Sequence, residues 1–196
     1  MSNLPSQCAV ALKEWATVLE AMAKGEQLVL IRKGGLIEPG RGFQLLAETF
    51  VFYPTFEHQA VNYLREPFRN YFEEAARRRP ADGRIRIELV GQATSSTELR
   101  NPEVIERLGG VHIYNREFVT QRLKWQPDQP MMLVVVRAWR LAQPFLLEVN
   151  PRYAGCKSWV ELDAAVSLDG VRPVLDDTTF HDRLQQVAAA LMEMEA

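Results

Sequence analysis

The sequence predicts an α+β fold: a single domain over residues 1–196 with a mainly antiparallel sheet, an N-terminal helix, helical insertions and a C-terminal helix. Three observations carry that expectation. Helix and strand patterns follow one another irregularly, without the strict alternation that a doubly wound parallel sheet needs. Both ends of the chain show the 3, 4, 7 apolar spacing of an amphipathic helix. Residues 131–141 hold Met132, Leu133, Val134, Val135 and Val136 in one run, too apolar for a one-sided edge strand and suited to the middle of a sheet.

Taken in order, residues 9–24 read as the first helix, with Leu12, Trp15, Ala16, Leu19, Met22 and Ala23 on one face and Gly25 as its stop. A short strand at 28–31 and a long one at 45–53 form a hairpin, with Gly34-Gly35 supplying the turn. Pro54 ends the second strand, and Thr55 caps a helix that starts at Phe56 or Glu57 and is divided by Pro67. In 84–90, Ile85, Ile87 and Leu89 alternate with Arg84, Arg86 and Glu88, the signature of a half-buried strand. Asn101-Pro102-Glu103 opens a helix that Gly109-Gly110 closes, and Asn115 caps another over 116–124. Strands at 145–149 and 158–162 join the central one, and a helix over 179–194 closes the domain.

Composition narrows the function classes. A net charge of -2 and a pI near 6.0 rule out a global basic field, although 23 Lys and Arg leave room for a local basic face. Two cysteines, Cys8 and Cys156, are too few for a disulfide framework and fit reduced thiols. No apolar run approaches a membrane span and no signal core opens the chain, so the expected location is cytoplasmic.

The candidate site centres on residues 28–59. Arg32 and Lys33 precede the glycine turn, where a hairpin would present an arginine fork to phosphate or carboxylate. Glu57, His58 and Gln59 fall where the second strand meets the expected helix N-terminus, whose free amides favour anions. His58 is a candidate acid or base. Lys157, beside Cys156, completes the candidate set. Arg41, Arg84 and Arg86 extend a basic face if the strands align, whereas Arg77-Arg78-Arg79 reads as a solvated, dipole-compensated helix end. Cys156 reads as a small hydrophobe in a turn, and Gly155-Cys156-Lys157-Ser158 lacks the glycine order of a P-loop. His58, His112 and His181 are scattered, so no metal motif is present, and no Glu-x-Lys of a restriction-type nuclease core occurs.

Several motifs in order carry a family resemblance. They are Lys13-Glu14-Trp15, Gly25-Glu26-Gln27, Arg32-Lys33-Gly34-Gly35, the run from Phe52 to Gln59, and the run from Gly155 to Leu162. Together they resemble the bacterial domain-of-unknown-function family 1802 over roughly residues 10–162, departing from it mildly at Tyr53 and Phe56. The resemblance implies a bacterial, cytoplasmic protein with a loose association to DNA-related work, and it names no cofactor. The leading expectation is an accessory module that binds an anionic ligand such as nucleic acid through Arg32, Lys33 and His58. A metal-dependent hydrolase or nuclease using Glu57 and His58 is the rival, and an interaction protein without a site is the third class.

Overall fold

The structure, a computed structural model, describes residues 4–33, 42–99, 103–125 and 127–192. Among these residues the chain runs β1 (Gln7–Trp15), α1 (Ala16–Ala23), β2 (Val29–Arg32), β3 (Thr49–Thr55), α2 (Asn70–Arg77) and β4 (Ile85–Leu99). It continues through α3 (Glu103–Arg107), α4 (Arg116–Lys124), β5 (Met131–Leu147), β6 (Trp159–Ser167), β7 (Arg172–Pro173) and α5 (Asp177–Met192). The strands form one sheet in the order β2-β5-β4-β3-β1-β6, with β7 on β5. β1 and β3 pair in parallel and the other pairs are antiparallel, so the predicted α+β class holds.

The N-terminal segment departs from expectation, because residues 7–15 are a strand and only Ala16–Ala23 is helical. Ala11 and Leu12 are neighbours in sequence and both have 0 % exposure. A strand flanked by β3 and β6 buries successive residues on opposite faces of the sheet. Long-range pairing thus overrides a local helical period that is real only from Ala16 onward.

β2 pairs with β5 and not with β3, so the predicted hairpin does not form. Its turn residues Gly34 and Gly35, and Arg41 beyond them, lie outside the described residues. Pro54 does not end β3 but lies within it, opposite Glu14 of β1. The β4 ladder along β3 reaches only Val51, so the strand has an unpaired side at Pro54, where a missing amide is tolerated. No helix starts at Phe56 or Glu57. The chain turns through His58, whose φ of 63° is left-handed, and makes two short 3-10 turns before α2.

β5 unites two predicted strands. Its register against β4 shifts between Ile87 and Leu89, and the bulge accommodates Pro144 without breaking the strand. β5 also lies between β2 and β4, the interior position its apolar run predicted.

Residue alternation splits the core in two. Leu12, Phe50, Phe52 and Leu89 face the helices, while Ala11, Val51, Tyr53 and Val90 cluster on the other face of the sheet with Tyr153 and Val160. Gly91 is required between them. A Cβ there would stand 2.7 Å from Phe50 Cε2 and 2.8 Å from Phe52 Cε2, so both rings lie directly over its backbone.

Candidate functional site

The two cations of the expected site are built into the scaffold. Arg32, at the end of β2, reaches across to β1 and donates to Glu14 Oε2 at 3.1 Å and to the Lys13 carbonyl at 3.2 Å. Its other nitrogen donates to Ser158 Oγ at 2.8 Å, and its guanidinium stacks on Phe43. Lys33 is buried, and its ammonium donates to the carbonyls of Arg122 and Leu123 at 2.9 and 3.1 Å. Those carbonyls belong to the last turn of α4, where a cation offsets the helix dipole. Burial and the nearby Arg122 pull the Lys33 pKa below its ordinary value.

Gln59 has a structural task as well. Its Oε1 accepts from the Thr17 amide at 3.3 Å and the Thr17 hydroxyl at 3.0 Å, supplying to α1 the cap that Trp15 does not. Glu57 and His58 are exposed, and among the described residues His58 makes no side-chain hydrogen bond or ion pair. Without a helix beginning at this point, the free amides expected to favour an anion are not there.

Lys157 lies near Lys13 of β1. Its ammonium donates to the Arg152 carbonyl, while Lys13 donates to the Gly155 carbonyl at 3.1 Å and packs on Tyr53. Burial first, then the charge of Lys157, lower the Lys13 pKa, with Glu57 and Cys156 opposing. Glu57 also adds to the burial that raises the Tyr53 pKa. Arg32 and Lys157 therefore meet adjacent stretches of β1 and β6, and Glu57 approaches them electrostatically. His58 is not brought into that group by any contact.

A concavity lies elsewhere, in a shallow groove between α1, α2 and the neighbouring ends of β3 and β4. Phe52, Pro54, Phe56, Leu19 and Leu89 give it an apolar lining beside Arg78, Arg84, Arg86 and Arg140 and the acids Glu20 and Glu88; Arg84 is paired with Asp82 at 2.7 Å, and Arg140 donates to the Ala23 carbonyl at 2.8 Å. Arg78 turns inward from the end of α2 and bridges Glu20 at 3.5 Å and Glu88 at 2.6 Å. Arg79 stacks on Phe56 with 4.9 Å between guanidinium carbon and ring centre. Arg86 pairs with Glu88 at 3.1 Å, yet its Nε is buried without a hydrogen-bond partner.

Part of this groove was signalled in the sequence. Arg86 and Glu88 alternate along β4, with Arg84 just before it, and Phe52 and Pro54 share one face of β3, with Phe56 just beyond it. The reading missed Arg78, because a basic helix end looks solvated until α2 is docked against α1. Among the described residues no three His, Cys, Asp or Glu side chains gather into a possible metal site. Among the same residues no helix is long and apolar enough to cross a membrane.

Fold and site together define an α+β domain: a mostly antiparallel sheet with a half-apolar, arginine-lined groove beside α1 and α2. The chain belongs to the family described as Domain of unknown function (DUF1802), whose model matches residues 11–186. That span takes in most of α5, which the motif resemblance left outside. No curated protein and no solved structure matches the chain.

Proposed function

We propose that this protein is an accessory module that binds an anionic ligand in the α1–α2 groove, the ligand being a nucleotide unit of single-stranded nucleic acid. One observation supports the reading: an aromatic and proline lining, Phe52, Pro54 and Phe56, lies beside four arginines and two glutamates, with Asp82 pairing only Arg84. A base stacked on such a lining gains about 1–3 kcal/mol, and arginine is the preferred fork for its phosphate. Glu57 and His58, next to Phe56 and exposed, remain candidates at the mouth. Arg32, Lys33 and Gln59 spend their polar groups on the fold, and Lys157 donates to a loop carbonyl. Cys8 and Cys156 are free, which suits the reducing cytoplasm we assign to the protein.

The test is titration of labelled single- and double-stranded DNA at two salt concentrations, followed by anisotropy. Single strands should bind more tightly, with affinity falling as salt rises. Arg86→Gln and Phe56→Ala should each weaken binding about tenfold. Affinity indifferent to salt and to both variants would overturn the proposal and leave an interaction protein without this site. Turnover that needs magnesium and disappears in Glu57→Ala would instead support a hydrolase.

A further inference from the structure

The groove between α1 and α2 holds one acid that no side chain grips closely. Glu20 of α1 lines it and is only 8 % exposed. Its two ionic contacts are long, with Lys24 Nζ 3.7 Å from Oε1 and Arg78 Nη1 3.5 Å from Oε2. Both exceed an ordinary N–H···O bond. Each partner gives its short bond to another acid, Lys24 to Glu74 and Arg78 Nη2 to Glu88 at 2.6 Å. Glu88 has both oxygens taken, since its Oε1 also accepts from Arg86 at 3.1 Å. Among the described residues the Glu20 carboxylate and Arg78 Nη1 make no hydrogen bond, so the groove keeps one donor beside two acceptors. Buried carboxylates normally accept hydrogen bonds, and these two oxygens have the capacity to do so.

A row of donor, acceptor and acceptor discriminates among the bases. The Watson–Crick edge of guanine presents O6 as an acceptor and then N1–H and N2–H as adjacent donors, which meet Arg78 Nη1, Oε2 and Oε1 in turn. The adenine edge brings the N1 lone pair against a carboxylate oxygen, and cytosine does the same with N3. Thymine offers a single donor between two acceptors. Guanine alone satisfies the whole row, and the bidentate contact to an ionised carboxylate strengthens it. Pro54 and Phe56, in the same lining, supply apolar surface for the plane of the base.

We propose that Glu20, with Arg78 Nη1 beside it, selects guanine as the base held in the groove. The selection rests on the groove holding a nucleotide unit, and adds the base to that reading. Glu20 is thus a specificity-determining residue, whereas the groove arginines serve the phosphate of any nucleotide.

The full chain is titrated, at fixed salt and by anisotropy, with short fluorescent oligothymidylates that carry one central guanine, adenine or hypoxanthine. Hypoxanthine keeps O6 and N1–H and lacks only the 2-amino group of guanine. The guanine strand should bind at least about tenfold more tightly than the adenine strand and about threefold more tightly than the hypoxanthine strand. Glu20→Gln should reverse the order of guanine and adenine, since an amide both donates to adenine N1 and accepts from its 6-amino group. A purely structural glutamate would, when replaced, lower all three affinities together and leave their ranking intact. That outcome, or wild-type affinities equal within about twofold, overturns guanine selection and leaves the groove a nucleotide site. Binding of no strand overturns both readings. Should Glu20→Gln not fold, wild-type discrimination between guanine and hypoxanthine decides alone, and a ratio of about one overturns the proposal.

Discussion

Arg32 and Arg86 each pair with a glutamate at 3.1 Å, and the two pairs do opposite things. Arg32 and Glu14 keep side-chain exposures of 15 % and 5 %, and Arg32 also donates to Ser158 and a backbone carbonyl. Arg86 and Glu88 keep 38 % and 22 %, and Arg86 retains a buried Nε with no acceptor. Distance alone does not separate a structural cation from an available one. Burial and leftover donors do, and they point to the groove.

The largest expected effect comes from breaking the first pair. Arg32→Met leaves Glu14 buried without its cation and should cost about 3–5 kcal/mol in denaturant unfolding. Replacing both partners, Arg32→Met with Glu14→Met, should restore much of that loss, because two apolar side chains need no desolvated partner. A single-variant loss below about 1 kcal/mol would place Arg32 among surface pairs and collapse the contrast.

His112 extends the structural side of the comparison and gives it a pH dependence. Its ring is 2 % exposed, with Nδ1 accepting the Tyr114 amide at 3.1 Å and Nε2 contacting the Ile105 carbonyl at 2.5 Å. Burial, with Arg65 adding to it, outweighs that carbonyl and holds the pKa at about 4, below the ordinary 6.5. The unfolded chain therefore takes up the proton first. Stability is complete above pH 6.5 and erodes as pH falls toward 4, by on the order of 3 kcal/mol. Asp163 and Asp176, whose pKa values are depressed by hydrogen bonds, add their losses at lower pH. Urea unfolding at pH 7.5, 5.5 and 4 should show the slope in wild type and a flatter one in His112→Asn. Equal slopes would mean that the ring takes up a proton as readily in the native as in the unfolded state.

Fold class, the interior place of β5 and the Asn115 cap were legible because each rests on local chemistry. An unbroken apolar run reports two-sided burial, and the Asn115 side chain does accept the Phe118 amide at 3.1 Å. The N-terminal strand was not legible, since Leu12 to Ala23 satisfies a helical period and only β3 and β6 reveal the alternative. The site was half legible for the same reason. Phe52, Pro54 and Phe56, within the candidate run from Phe52 to Gln59, line the groove, but whether Arg32, Lys33 or Gln59 is spent on the fold depends on Glu14, Ser158, α4 and Thr17. Those partners lie far away in sequence, and one chain read alone does not pair them.

The smallest expected effect is on the groove side, and it bears most directly on function. Arg86→Met removes a half-exposed ion pair, worth at most about 1 kcal/mol, and also removes a buried nitrogen that lacks an acceptor. These contributions have opposite sign, so unfolding free energy should change by no more than about 0.5 kcal/mol. Arg78 still holds Glu88 at 2.6 Å, so that carboxylate is not left alone. A cation whose removal leaves the fold indifferent is available to a ligand. If Arg86→Met instead costs as much as Arg32→Met, the groove arginines form a structural lattice like the β1–β2 pair, and the site must be sought elsewhere. If stability is unchanged while affinity for single-stranded DNA falls, the two 3.1 Å pairs divide as their burial says: one builds the domain and the other serves it.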